Sequence, residues 1–207
     1  MPEVIREQDQ KTSQWSGGTT TELFLYPKNG SYADRNFLFR LSSAYCQDSE
    51  SVFTSLPGVK RILMVLDGRI SLCHQGKRKV TLEPGDQDHF TGDETTKSAG
   101  SCVDFNLMMK QDTDGNLFYR KLQEEEKLSL ADFSIKKKPD LADGCYFGLY
   151  LVKGKVVLAK RHKVNRIILK EHDFCMFREG ENLGAWDIKS EKESQIVLAQ
   201  IECKEQM

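Results

Sequence analysis

The amino-acid sequence predicts an all-β protein, a sandwich or a barrel, on three observations. Helical periodicity over any long stretch is nearly absent. Short apolar runs recur from end to end, punctuated by Gly, Pro, Asn and Asp. Many short strands broken by turn residues read as a β-sandwich or barrel rather than a helical fold. The third observation is a weak internal repeat, which suggests two similar halves.

Taken in order, the strands are read at Phe37–Leu41, Ile62–Leu66, Ile70–Cys73 and Val103–Leu107. They continue at Tyr146–Leu151, Val156–Leu158, Ile167–Leu169 and Ile196–Leu198. The repeat aligns Asp67-Gly68-Arg69-Ile70-Ser71-Leu72 with Lys153-Gly154-Lys155-Val156-Val157-Leu158. After each glycine come an apolar strand, an aspartate (Asp86 or Asp173) and a phenylalanine (Phe90 or Phe177). The glycine-to-phenylalanine offset is 22 residues in one half and 23 in the other. Asp112 to Asn116 reads as a turn, and Tyr119 to Leu130 as either a short helix or an edge strand. The expected organisation is a first barrel over residues 1–110, a charged connector over 111–140 and a second, degenerate barrel over 141–207.

Composition narrows the function classes. Thirty basic and 31 acidic residues leave a net charge of −1, without the basic surplus or stripe of a nucleic-acid binder. The run Lys136-Lys137-Lys138 follows Glu124-Glu125-Glu126 closely and reads as solvated charge. The N-terminal stretch with Glu3, Arg6, Glu7 and Asp9 lacks an apolar signal core, and no segment approaches the length of a membrane span. A cytoplasmic protein with no membrane partner is expected. Cys46, Cys73, Cys102, Cys145, Cys175 and Cys203 form no C-x-x-C pair and read as free, mostly buried thiols.

Several motifs then fall in a recognisable order. Trp15-x-Gly17-Gly18-x-Thr20-x-Glu22 precedes Tyr26-Pro27, and Arg40-x-Ser42-x-Ala44 follows. Next come Phe53-x-x-Leu56-Pro57-Gly58-Val59-x-Arg61, Leu66-x-Gly68, Pro84-Gly85 and Phe90-x-Gly92-Asp93, and last Asp104-Phe105-Asn106-Leu107-Met108. This series, over residues 15 to 108, resembles the HutD/Ves family of the cupin superfamily. It departs from the family pattern in a shorter first loop at Ser16 and in His89 beside Phe90. The resemblance implies a bicupin, two RmlC-like jelly-roll barrels packed together. It also implies a role in control of histidine utilisation or in a stress response, without an established catalytic activity. Urocanate and formylglutamate are the ligands it suggests.

The residues carry their own chemistry. A metal-dependent cupin needs two histidines one residue apart, a carboxylate and a later histidine, whereas His74, His89, His162 and His172 have no such spacing. No metal and no cofactor are therefore expected. Side chains two apart on a strand share a face, so Arg40 and Ser42 point together, as do Asp104, Asn106 and Met108. Those polar sets either face solvent, with the apolar sets in the core, or line the mouth of a barrel. In the second reading Arg40 and Arg61 hold a small carboxylate through charge-assisted forks, and Asp104 and Asn106 add acceptors and a donor. The full candidate ligand-binding set is Trp15, Gly17, Gly18, Thr20, Glu22, Arg40, Ser42, Arg61, Phe90, Asp104, Asn106 and Met108, with no catalytic residue assigned.

Three functions compete. The first is a small-carboxylate-binding regulator, with a homodimer as an accompanying expectation. The second is a metal-independent isomerase, epimerase or hydrolase using Asp104 or His89 as base. The third is a protein-binding module with a filled first barrel and an exposed apolar patch.

Overall fold

Short apolar runs separated by turns give strands throughout, and the computed structural model is nearly all-β. It describes residues 1–47, 50–76, 78–110, 112–133, 144–178 and 180–203. In chain order the strands are β1 (Glu3–Ile5), β2 (Lys11–Trp15), β3 (Gly18–Tyr26), β4 (Phe39–Cys46), β5 (Glu50–Val52) and β6 (Lys60–His74). Then follow β7 (Arg78–Leu82), β8 (Gln87–Thr91), β9 (Thr96–Met109), β10 (Thr113–Leu122), β11 (Lys127–Ser129) and β12 (Cys145–Lys153). The last are β13 (Lys155–Lys160), β14 (Arg166–Lys170), β15 (Phe174–Phe177), β16 (Trp186–Ser190) and β17 (Ser194–Cys203).

The chain divides into two compact units. An N-terminal unit holds residues 10–113, and a C-terminal unit holds residues 114–207 together with residues 1–9. The first is built on one eight-stranded sheet, in the order β2-β3-β4-β9-β6-β7, with β5 added to β9 and β8 to β6. The second has a five-stranded sheet, β1-β15-β12-β17-β10, and a four-stranded sheet, β11-β16-β13-β14.

The repeat read from the sequence corresponds to a shared pairing scheme. In the N-terminal unit the start of β6 pairs with β8 and its end with β7, the two stretches meeting near Gly68. In the C-terminal unit β12 pairs with β15 and β13 with β14, with Gly154 between β12 and β13. Long β6 and β9 thus do in one unit what β12 with β13, and β16 with β17, do in the other. Both units close around apolar cores. Leu63, Val65, Ile70, Leu72, Leu82 and Phe90 form the first. Phe147, Leu158, Phe177, Trp186, Ile196 and Leu198 belong to the larger second one.

Three expectations change here. The strand read at Phe37–Leu41 starts at Phe39, and the two read at Ile62–Leu66 and Ile70–Cys73 are one strand, β6. The connector expected over 111–140 instead carries β10 and β11. β10 pairs into the sheet with β17, and β11 pairs with β16, so Tyr119 to Leu130 is mostly strand. Buried residues Thr113, Leu117 and Leu122 anchor β10, which the surrounding charge obscured. Residues 1–9 join the C-terminal unit because β1 pairs with β15. The lysine run at 136–138 lies outside the described residues.

Candidate functional site

The site lies within the N-terminal unit, where β4, β9 and β6 run side by side. Register sets Arg40 opposite Met108, Ser42 opposite Asn106, Ala44 opposite Asp104 and Cys46 opposite Cys102. β6 places Arg61 opposite Met108 on the other side of β9. Alternation then turns Arg40, Ser42, Ala44 and Cys46 to one face with Asp104, Asn106 and Met108. These residues line a cavity of about 230 Å³, and Ser13, Trp15, Thr20, Tyr32, Arg61 and the stretch Ser51–Thr54 complete its wall.

Both arginines are buried. Arg40 Nε donates to Glu22 Oε2 at 2.8 Å, and its Nη1 donates to Ser42 Oγ at 3.2 Å. Its guanidinium lies 4.4 Å from the Tyr32 ring centre. Arg61 has thinner support. Its Nη1 reaches Thr54 O at 3.5 Å, and its Nε has no hydrogen-bond partner among the described residues. Its guanidinium lies 5.1 Å from the Phe53 ring centre and 5.5 Å from that of Phe90. Burial lowers its pKa to about 10, so it stays a cation at neutral pH. Of the four buried side-chain polar atoms without a hydrogen-bond partner among the described residues, three are here: Arg61 Nε, Asp104 Oδ1 and Asn106 Oδ1. Buried polar groups are normally paired, so this cluster of one donor and two acceptors is unusual and makes the cavity the candidate site.

Asp104 is buried on the cavity wall. Burial raises its carboxyl to about 7, against the opposing pull of the Arg61 charge and a hydrogen bond from the Cys46 thiol, 3.7 Å from Oδ2. Hydrogen bonding to Cys102, with burial, pushes the Cys46 thiol far up.

Eight of the twelve residues expected from sequence line the cavity: Trp15, Thr20, Arg40, Ser42, Arg61, Asp104, Asn106 and Met108. The other four stand behind it. Glu22 holds Arg40, and Phe90 backs Arg61 while meeting Phe53 edge-on at 5.8 Å. Gly17 lies under the Trp15 ring, where a Cβ would overlap it, and Gly18, at φ 151°, has no room for a Cβ beside the Tyr45 carbonyl. Tyr32, Cys46 and Phe53 line the wall as well, beyond the set that the sequence indicates. His89 is exposed and lies outside the lining. His74 is buried but bonds Asp88 at 2.7 Å and Thr96 at 2.9 Å. A histidine-based cupin metal centre does not fit this cavity, since no described histidine lines it.

A family model, HutD, matches residues 7–198. The chain belongs to the HutD family. No curated protein matches it significantly. Among solved structures, the chain is similar to PA5104, a conserved protein of unknown function from Pseudomonas aeruginosa PAO1. The two are 21% identical, with a TM-score of 0.77 over 98% of this chain and 99% of that one. HutD from Pseudomonas fluorescens SBW25, solved in a formate condition, is 19% identical, with a TM-score of 0.69 over 99% and 100%. Bacterial pirin YhhW from Escherichia coli, in complex with nickel(II), is 12% identical, with a TM-score of 0.67 over 99% and 100%. These likenesses show the cupin-type β fold that this HutD-family chain shares. No described helix is long and apolar enough to cross a membrane.

Proposed function

We propose that this HutD-family protein binds a small carboxylate metabolite in the cavity of its N-terminal unit and acts as a regulatory binder in histidine utilisation or a stress response. The observation that carries the reading is the buried Arg61 guanidinium, its Nε without a partner among the described residues, on the wall that it shares with Arg40. A carboxylate would supply the acceptor that Arg61 lacks, through a charge-assisted hydrogen bond. Glu22 already offsets the charge of Arg40. The carboxyl of Asp104, titrating at about 7, leaves the charge of Arg61 only partly offset at neutral pH.

A second reading, a metal-independent isomerase or hydrolase, keeps one favourable observation: Asp104 has a pKa near neutrality in a cavity, as a general base needs. It loses His89, which is outside the lining. A thermal-shift panel of histidine, urocanate, formiminoglutamate, formylglutamate, glutamate and formate tests the binding reading. A ligand at about a hundred times its Kd adds roughly 2.7 kcal/mol. A rise in Tm with one carboxylate, absent in Arg61→Met, is expected. No rise with any of them would count against the proposal, and chemical conversion of the bound compound would favour the enzyme.

A further inference from the structure

Cys46, Cys102 and Asp104 form a second constellation beside the cavity, whose wall Cys46 and Asp104 help to line, and the anion reading does not use it as such. All three are buried, and one ligand atom from each lies within 4.8 Å of the others. Cys46 and Cys102 are direct cross-strand partners on β4 and β9, and Asp104 follows Cys102 by two residues on the same face. Ala44, opposite Asp104, is small and lines the same cavity. The strand backbones are pinned there: Ser101 Oγ donates to Cys46 O at 3.0 Å, and Ser43 Oγ donates to Asp104 O at 2.9 Å.

We propose that Cys46, Cys102 and Asp104 bind one zinc-class divalent metal ion, with a fourth coordination position open to the cavity. Tetrahedral zinc with Zn–S of about 2.3 Å and Zn–O of about 2.1 Å holds neighbouring ligand atoms about 3.5–3.8 Å apart. The Cys46 Sγ to Asp104 Oδ2 distance, 3.7 Å, already meets that span. Asp104 Oδ1 is buried without a hydrogen-bond partner among the described residues, an independent sign that this carboxylate is prepared for another ligand. Charge is consistent too. Two thiolates and a carboxylate with a divalent ion carry one net negative charge, and Arg61 is the cation that Asp104 feels. Cys46 and Asp104 both reach the cavity wall, so the open position faces it. Binding releases one proton from each thiol, and a third from Asp104 when it is protonated, so affinity falls with falling pH. Soft thiolate ligands favour zinc over magnesium or calcium.

The test is a cobalt(II) titration of the full-length, reduced, metal-free protein under argon, without any carboxylate present. One equivalent should produce thiolate-to-cobalt charge-transfer absorption and the intense visible bands of a tetrahedral site, both lost on adding zinc(II). Cys46→Ser, Cys102→Ser and Asp104→Asn should each weaken binding by about tenfold or more, while Cys175→Ser, in the C-terminal unit, should not. Should a serine variant fail to fold, zinc(II) retained by the reduced, unmodified protein in equilibrium dialysis, expected at one per chain, carries the same test. Absence of the bands in the unmodified protein, their persistence in Cys46→Ser, or no retained zinc(II) would overturn the proposal. Because no carboxylate is present, such a failure leaves the anion-binding reading standing, and the converse also holds.

Discussion

Replacing Asp104 by asparagine should change how stability depends on pH. The Asp104 carboxyl titrates at about 7 in the folded chain and at 3.8 in the reference state, chiefly because burial penalises its charge. The folded state therefore holds a proton that the unfolded state has lost between about pH 4 and pH 7. The stabilisation is fully present below about pH 4 and is lost as pH rises through about 7. Over the whole window the separation corresponds to about 4 kcal/mol, with a limiting slope of about 1.4 kcal/mol per pH unit. Asparagine keeps the shape and cannot ionise. Urea unfolding of the metal-free protein and of Asp104→Asn at intervals from about pH 4.5 to 8 gives the comparison. The difference in stability between them should move in favour of the asparagine variant as pH rises, then level off above about pH 7. Parallel curves would refute the claim that a buried, proton-holding carboxyl sits at this position.

Other consequences follow from the same geometry. Carboxylate binding beside Asp104 should favour its protonated form, so affinity should fall by up to about tenfold per pH unit above about pH 7, measured by calorimetry. Arg40→Ala should abolish carboxylate binding and leave the far-ultraviolet circular dichroism spectrum unchanged; retained binding would remove Arg40 from the site. Glu22→Gln should cost about 1–3 kcal/mol by weakening the charge-assisted bond to buried Arg40, read from denaturant midpoints. Gly18→Ala should destabilise the β2–β3 hairpin by about 1–3 kcal/mol, because its Cβ meets the Tyr45 carbonyl, and hydrogen exchange should rise first in that hairpin.

Much of the cavity was legible because strand periodicity is simple. Arg40 with Ser42, and Asp104 with Asn106 and Met108, share faces by spacing alone, and the motif order singled out the strands that carry them. What spacing does not contain is register. Cys46 and Cys102 become partners only once β4 and β9 pair, and a histidine-based search for metal ligands passes over them. Phe53 reaches the wall because it follows β5, a short strand with little apolar signal that pairs with β9. The same limit hid the pairing of β1 with β15, distant in sequence, and so the place of residues 1–9 in the C-terminal unit. The sequence offers His89 as a candidate base beside Phe90, yet alternation on β8 turns Phe90 inward and His89 outward.

Carboxylate binding that depends on Arg61 is decided by isothermal titration of the purified protein and of Arg61→Met with formate, formylglutamate and urocanate, at about pH 6.5 where Asp104 is mostly protonated. Binding of at least one carboxylate at one per chain, lost in Arg61→Met with the fold retained, is the predicted result. Equal binding by both proteins, or none by the unmodified chain, would contradict it.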